Sequence, residues 1–359
     1  MKKLGEIATF SKGKGISKSE IEENGITECI RYGELYTHYR EVINEIKSRT
    51  NVDKSALVLS EENDVIIPAS GETTIDIATA SCVLKPGIAL GGDLNIIKSK
   101  NDGVFLSYYL NSKKKMEIAN LAQGISVVHL YSSQLASLSL SLPTNQEQEK
   151  ISTFLAKISE RIDCQNKIIN DLKTLKTATA KKIFSQELRF KDDNGNDFPE
   201  WEVREVGEVF KITRGNVLAM NLVSNQCNEK NTYPVYSSQT KNNGLAGYYT
   251  DFLFEDAITW TTDGANAGDV NYRSGKFYCT NVCGVLISNE GYANSCIAEL
   301  INSVSKNYVS YVGNPKLMNG VMSEIKIPFP SLPEQTKIAN FLSTIDSKID
   351  MENQLLQKL

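Results

Sequence analysis

The sequence is poor in the residues that carry enzyme chemistry. It has two histidines in 359 residues, His38 and His129, and neither lies near a Ser-Asp or Cys arrangement that would support nucleophilic or metal chemistry. No GxGxxG follows a strand and no Walker phosphate loop occurs, which excludes dinucleotide and nucleoside-triphosphate sites of those kinds. The glycine-rich loop and the Asn-Pro-Pro or Asp-Pro-Pro turn of a methyl-donor site are also missing. Glu324 and Lys326 in SEIK have no Pro-Asp pair before them, so an alternating strand accounts for them better than a nuclease centre. A hydrolase with a hidden site is excluded on the same grounds.

No apolar stretch approaches the length needed to span a bilayer. The opening MKKLGEIATFSKGKG has a basic start with no apolar run after it, so no secretory leader is expected. Seven cysteines, an odd number scattered from Cys29 to Cys296, suit reduced thiols in a cytoplasm. Cys279 and Cys283 stand four apart in a strand-like stretch and read as buried packing. Excess positive charge is lacking as well: the formal net charge is −4. Phosphate contacts dominate affinity for DNA, so any DNA-binding face here has to be local.

What the sequence does have is an internal repeat. QEQEKISTFLAKISERID, from Gln146, recurs as PEQTKIANFLSTIDSKID, from Pro333, at an offset of 187 with nine of eighteen positions identical. LGEIATFSKG from Leu4 matches VGEVFKITRG from Val206 at an offset of 202, and DVIIPAS from Asp64 resembles DAITWTT from Asp256 at 192. The period is far too long for a solenoid and implies two similar halves. Framework is kept while loops differ in length, as in a scaffold that presents two recognition surfaces.

Each half reads as an α+β domain followed by a helix. Residues 144–194 contain no glycine or proline, and apolar residues recur at Ile151, Leu155, Ile158, Ile162, Ile169, Leu172 and Ile183, the spacing of a long amphipathic helix. About forty helical residues would run roughly 60 Å. Ile338, Leu342, Ile345, Ile349, Leu356 and Leu359 repeat the stripe, with Glu352 standing where Gln165 stands in the first copy. A polar residue at one layer in both copies fixes register in a coiled coil. The two helices are expected to pack antiparallel, through Ile151, Ile158, Ile338 and Ile345 layers. The second stripe stops at Leu359, the counterpart of Leu172, so the helices are expected to be unequal. Residues 105–121 read as a further helix. LASLSLSLP before the first long helix and SEIKIPFP before the second read as strands. FKDDNGNDFPEWE, from Phe190, reads as a turn and linker, with Trp201 at a domain edge.

The residues that carry these features resemble the specificity subunit of type I restriction-modification enzymes. The resemblance rests on the LPxxEQxKI-like entry to each helix at 143–151 and 332–338, KKIFSQELRF from Lys181, FPEWE at Phe198 and the GEIATFSKGKG opening. It covers essentially the whole chain. It implies two α/β target-recognition domains, residues 1–143 and 201–332, a first conserved helix at 144–189, a linker at 190–200 and a second conserved helix at 333–359. The two helices form a pseudo-two-fold spacer. It also implies that each domain reads one half of a split double-stranded DNA sequence. Two methyltransferase subunits would carry S-adenosylmethionine, and restriction and translocase subunits, joined through them, would use ATP and magnesium. None of these cofactors is expected on this chain.

Candidates for DNA contact are loops rich in side chains that bond base edges or phosphates, since Asn and Gln suit adenine while Lys and Arg suit guanine. In the first half they are Lys12, Lys14, Arg31, Tyr32, Ser70, Gly71, Thr73, Gln123 and Ser126. In the second half they are Arg214, Tyr236, Ser237, Ser238, Gln239, Thr240, Thr261, Thr262, Asp263 and Asn281. Arg31, Ser70, Gln239 and Thr262 are expected to lie at the DNA. The other reading of the sequence is a coiled-coil scaffold that binds protein and no DNA; a flat salt dependence of duplex binding would favour it.

Overall fold

The computed structural model describes residues 1–124, 126–238 and 241–359, the side chain of Lys241 excepted. Gln239 and Thr240 lie outside the described residues. The chain forms two compact units, Met1–Cys164 and Gln165–Leu359.

The first unit is built on a five-stranded sheet ordered Ala8–Lys12, Leu94–Ser99, Asp64–Pro68, Ser81–Val83, Val42–Ile43. All neighbours are antiparallel except the last pair. A four-stranded sheet of Ser48–Thr50, Thr27–Ile30, Ala89–Leu90 and Val58–Leu59 lies in the same unit. Asp64–Pro68 is buried along its whole length, which is why DVIIP reads as a continuous apolar run rather than an alternating one. Helices Gly103–Lys113 and Lys115–Leu121 pack Leu106, Leu110 and Ile118 onto Leu4, Ile67 and Ile97. The single helix expected over 105–121 is thus two, broken at Lys114.

The second unit repeats the frame. Its six-stranded sheet is ordered Lys211–Arg214, Cys283–Ile287, Phe254–Thr261, Val270–Cys279, Tyr233–Tyr236, Leu245–Tyr249. Ile258 faces Leu286 as Ile66 faces Ile96. Trp260, 1 % exposed, fills the centre of the core and donates its indole N–H to the Leu317 carbonyl at 3.0 Å. Helix Ser295–Ser305 covers this core with Ile297, Leu300 and Ile301.

The repeated LGEIATFSKG and VGEVFKITRG segments end at one structural event. A Cβ on Gly13 would stand 1.9 Å from the Gly91 carbonyl oxygen, and one on Gly215 would stand 2.2 Å from that of Cys279. Each glycine lets the first strand pass against the end of a neighbour, where Lys14 N–H bonds the Leu90 carbonyl and Asn216 N–H bonds that of Cys279. Backbone cannot yield here as a side chain would. Gly215→Ala is expected to destabilise the second unit by about 3 kcal/mol, read as a fall in the midpoint of urea unfolding. An unchanged midpoint would mean the crossing is loose.

Before the long helices, the alternating patterns serve two elements each. LASLSLSLP gives the short helix Ser132–Ala136 and only a two-residue strand, Ser139–Leu140, because Leu135 and Leu138, one helical turn apart, are both buried. SEIKIPFP ends the helix Asn319–Glu324 before its strand, Lys326–Phe329, which pairs with Glu202–Glu205.

The first long helix runs Asn145–Phe184 and the second Leu332–Gln357. The first begins with a capping box: Thr144 and Glu147 exchange hydrogen bonds, Thr144 N–H donating to the carboxylate at 3.1 Å. It ends without glycine. Gln186 takes a left-handed conformation (φ 61°) and Leu188 N–H reaches back to the Lys182 carbonyl at 3.1 Å.

Within the second unit the two helices run antiparallel. Gln165 donates to both the backbone carbonyl and the carboxylate of Glu352. Ile169 and Leu172 pack with Ile345, Ile349 and Leu356, while Ile183 packs with Ile338, Leu342 and Cys296. Lys176 ties the pair to the domain through Glu299 and Asp346, at 2.8 and 2.9 Å. The expected layers of Ile151 and Ile158 against Ile338 and Ile345 need correction. Equivalent positions of an antiparallel pair meet only where the helices cross, here Gln165 and Glu352. Ile183, not Ile151, therefore covers Ile338. Ile151 is 40 % exposed, and Leu155, Ile158 and Ile162 are half-buried.

Candidate nucleic-acid interface

In the first unit, the strand crossing at Gly13 gathers most of the sequence candidates. Lys12 and Lys14 flank it and are exposed. Arg31 and Tyr32 follow the strand Thr27–Ile30 and line an open cleft of about 490 Å³ with Gly15, Ser17, Glu20 and Gly91–Asp93. Glu34 accepts the Arg31 backbone N–H at 2.9 Å. Lys12 Nζ lies 6.0 Å from the Tyr131 ring, and His129 stacks on Tyr131. Gln123 and Ser70 both pair through the backbone with His129. Gln123 and Ser126 are exposed at this edge.

Ser70 and Gly71 differ from expectation. Both are buried, in a two-strand pairing with Val128–His129. In SGETT, Ser70 and Gly71 bond through their backbone. Thr73 is exposed but caps the short helix Thr74–Ile77, accepting the Asp76 N–H at 3.1 Å and donating to its carboxylate at 2.6 Å.

In the second unit the matching strand ends enclose a smaller polar cavity of about 160 Å³ beside Ser237, Asn243, Thr261, Asp269, Asn271 and Arg273. The Ser237 and Thr280 hydroxyls are 3.0 Å apart. Asn266 donates its side-chain amide to the Ser238 carbonyl. Asn281 is exposed next to Thr280, and Arg214 reaches Asn319 and the Met318 sulfur. Asp263 is half-buried and its backbone bridges to Lys316. Thr262 is fully buried and donates its hydroxyl to the Val282 carbonyl at 3.0 Å; Thr261 is 8 % exposed. Thr262 holds the loop and presents no hydroxyl to solvent, so the expectation that Thr262 lies at the DNA is corrected; Thr261 lines the polar cavity.

Residues 1–174 and 199–359 match the family described as the type I restriction modification DNA specificity domain. The chain belongs to that family.

It is the DNA specificity subunit of a type I restriction-modification system, a non-catalytic part of the complex whose cofactors belong to partner subunits. A putative type I specificity subunit N-terminus of Mycoplasma pneumoniae is 40 % identical over 143 residues, 39 % of this chain and 75 % of that protein. A putative specificity subunit of Methanocaldococcus jannaschii is 26 % identical over 294 residues, 75 % of this chain and 68 % of that one. The fold is similar to the crystal structure of the type I S subunit from M. genitalium, with a TM-score of 0.73 at 18 % identity, covering 99 % of this chain and 91 % of the other. No helix among the described residues is long and apolar enough to cross a membrane.

One arginine of the specificity subunit was missed by sequence reasoning. Arg273 is 8 % exposed, yet among the described residues it has no carboxylate partner. Its guanidinium carbon lies 3.8 Å from the centroid of the Tyr236 ring, its Nε donates to the Thr259 hydroxyl at 3.0 Å and its terminal nitrogen to the Asn243 carbonyl at 2.7 Å. Asn242 and Asn243, both left-handed (φ 51° and 52°), aim that carbonyl. Burial pulls its pKa below the usual guanidinium value, but an arginine so placed stays charged. The only sequence signal was a cation inside an aromatic strand, VNYRSGKFYC.

Five cysteines of the specificity subunit, Cys29, Cys82, Cys279, Cys283 and Cys296, are buried packing residues. Cys279 and Cys283 are buried, and burial pushes the Cys283 thiol up to about 11 and the Cys279 thiol higher. Among the described residues no group of His, Cys, Asp and Glu could hold a metal ion. Cys164 and Cys227 are the exposed thiols. Iodoacetamide at pH 8 is expected to label those two in the native protein and all seven after denaturation, read by mass spectrometry. Rapid native labelling of Cys279 would contradict the packing assignment.

Proposed function

We propose that each unit reads one half of a split double-stranded DNA target, through Lys12, Lys14, Arg31, Tyr32, Gln123 and Ser126 in the first and Arg214, Tyr236, Ser237, Ser238, Gln239, Thr240, Asn281 and Arg273 in the second. In this reading Ser70, Gly71, Thr73, Thr261, Thr262 and Asp263 shape the loops. The long helices set the separation of the halves. Two methyltransferase subunits dock on the helices and flanking faces and bring the restriction and translocase subunits.

The distribution of unpaired arginines carries this reading. Of the eight arginines, Arg40, Arg49, Arg189 and Arg204 are in ion pairs. Of the other four, Arg161 lies on the first long helix, Arg31 and Arg214 stand at strand ends of the first and second units, and Arg273 lies within the strand Val270–Cys279, lining the polar cavity of the second unit. A chain of net charge −4 thus holds three arginines that, among the described residues, have no carboxylate partner, where base-edge and phosphate acceptors would be met. With 43 acidic against 39 basic residues, the docked subunits supply much of the phosphate clamp.

Methylome sequencing of a host that carries the protein tests this directly. The expected result is a split methylated motif that vanishes on deletion of the gene. Chimaeras that exchange one unit should change one half of the motif only; a change in both halves would sink the assignment of one half to each unit.

A further inference from the structure

The internal repeat places two copies of one surface in different states. In the second copy, Glu334, Ile338 and Leu342 are 0, 0 and 2 % exposed. They are covered by the end of the first long helix and the turn after it: Ala180, Ile183 and Phe184, then Phe190 and Trp201. Arg189 bonds the Glu334 carboxylate at 3.3 and 3.1 Å, and the Trp201 indole N–H donates to it at 2.8 Å. Phe190 packs on Phe341 with ring centroids 5.5 Å apart. Lys337 reaches the Lys191 carbonyl and Asp193.

The first copy presents the same side chains bare. Ile151 is 40 % and Phe154 64 % exposed, Leu155 is half-buried, and Glu147 and Lys150 are exposed. The local backbone is the same in both: Gln148 donates to the Pro143 carbonyl at 2.9 Å as Gln335 donates to that of Pro330 at 2.8 Å. The carboxylates take different partners. Glu147 closes a capping box with Thr144, whereas Glu334 has turned to Arg189 and Trp201, and the buried hydroxyl of Ser331 is left without a partner among the described residues.

We infer that Glu147, Ile151, Phe154 and Leu155 form a docking site for a separate polypeptide segment with the chemistry of residues 180–201: a helix end carrying adjacent aliphatic and aromatic side chains, then an arginine and a tryptophan. The acid at Glu147 selects the guanidinium, since a bidentate arginine–carboxylate pair is directional. The apolar trio receives the helix end. A second copy of this chain is a poor occupant, because its own 180–201 segment already covers Ile338 and moving it would bare that surface.

The test uses a fluorescent peptide of residues 173–202 and the full-length chain, read by anisotropy. Saturable binding is expected, weakened at least tenfold by Ile151→Asp and by Glu147→Ala in the protein. Arg189→Ala in the peptide should weaken it similarly, a change that cannot disturb folding of the receptor. The equivalent surface at Ile338 is closed to the peptide because the tethered segment competes at a high effective concentration. Absence of saturable binding would overturn the inference. So would binding that Ile151→Asp leaves intact and Ile338→Asp abolishes.

Discussion

Glu334→Ala is expected to be the most destabilising single change at the helix pair, costing about 3 kcal/mol or more. The carboxylate is fully buried and is the acceptor for both Arg189 and Trp201. Its loss leaves the Trp201 indole N–H facing a cavity, while Arg189, 20 % exposed, loses its bidentate partner and keeps Glu200 and the Phe198 and Pro199 carbonyls. Removing one member of such a set costs more than the set contributes, because the donors left behind have lost both water and their acceptor. Glu334→Gln should cost less, since one acceptor oxygen remains. The repeat supplies an internal control. Glu147 occupies the same sequence position, is exposed and, among the described residues, bonds only Thr144, so Glu147→Ala should shift the urea midpoint far less. Equal shifts for the two alanine variants would show that burial of Glu334 contributes nothing.

Arg273→Ala is expected to have the largest effect on recognition. In the assembled complex, specific binding should fall by a factor of about 10 to 100, equivalent to about 1–3 kcal/mol, while binding to unrelated duplexes changes little. The guanidinium is already oriented by Tyr236, Thr259 and Asn243, so little ordering is needed when it meets a base. Lysine should not restore function, because a single ammonium cannot reproduce a planar fork stacked on a ring. Competition binding with targets altered at single positions measures this. A loss equal for every sequence, with the salt slope reduced by about one, would assign Arg273 to a phosphate instead.

Much of the architecture was legible because it is written twice. A repeated LGEIATFSKG or EQxKI pattern reports a constraint common to two places, and both Gly13 and Gly215 proved to be strand crossings. The polar layer at Gln165 and Glu352 was legible for the same reason. Partner choice was not: the repeat identifies equivalent residues, and antiparallel helices bring equivalents together at one point only, which is why Ile183 covers Ile338. The site was less legible than the fold. Ser70 and Thr262 have the composition of contact loops, but their burial depends on pairing with Val128–His129 and on the Val282 carbonyl, neither of which local sequence reveals. Arg273 was hidden for the converse reason. Its surroundings come from Tyr236, Asn243 and Thr259, brought together only by strand pairing.

The orphaned hydroxyl of Ser331 bears on the order in which the chain acquires structure. The first long helix carries its own N-terminal cap, Thr144 with Glu147, and can start as soon as it is synthesised. The second begins with no side-chain cap, because Glu334 is committed to Arg189 and Trp201. Its opening turn is held by a segment made well over a hundred residues earlier in the chain. The latching segment is therefore synthesised before the element it secures, and the opening turn of the second helix rests on that surface rather than on a side-chain cap of its own.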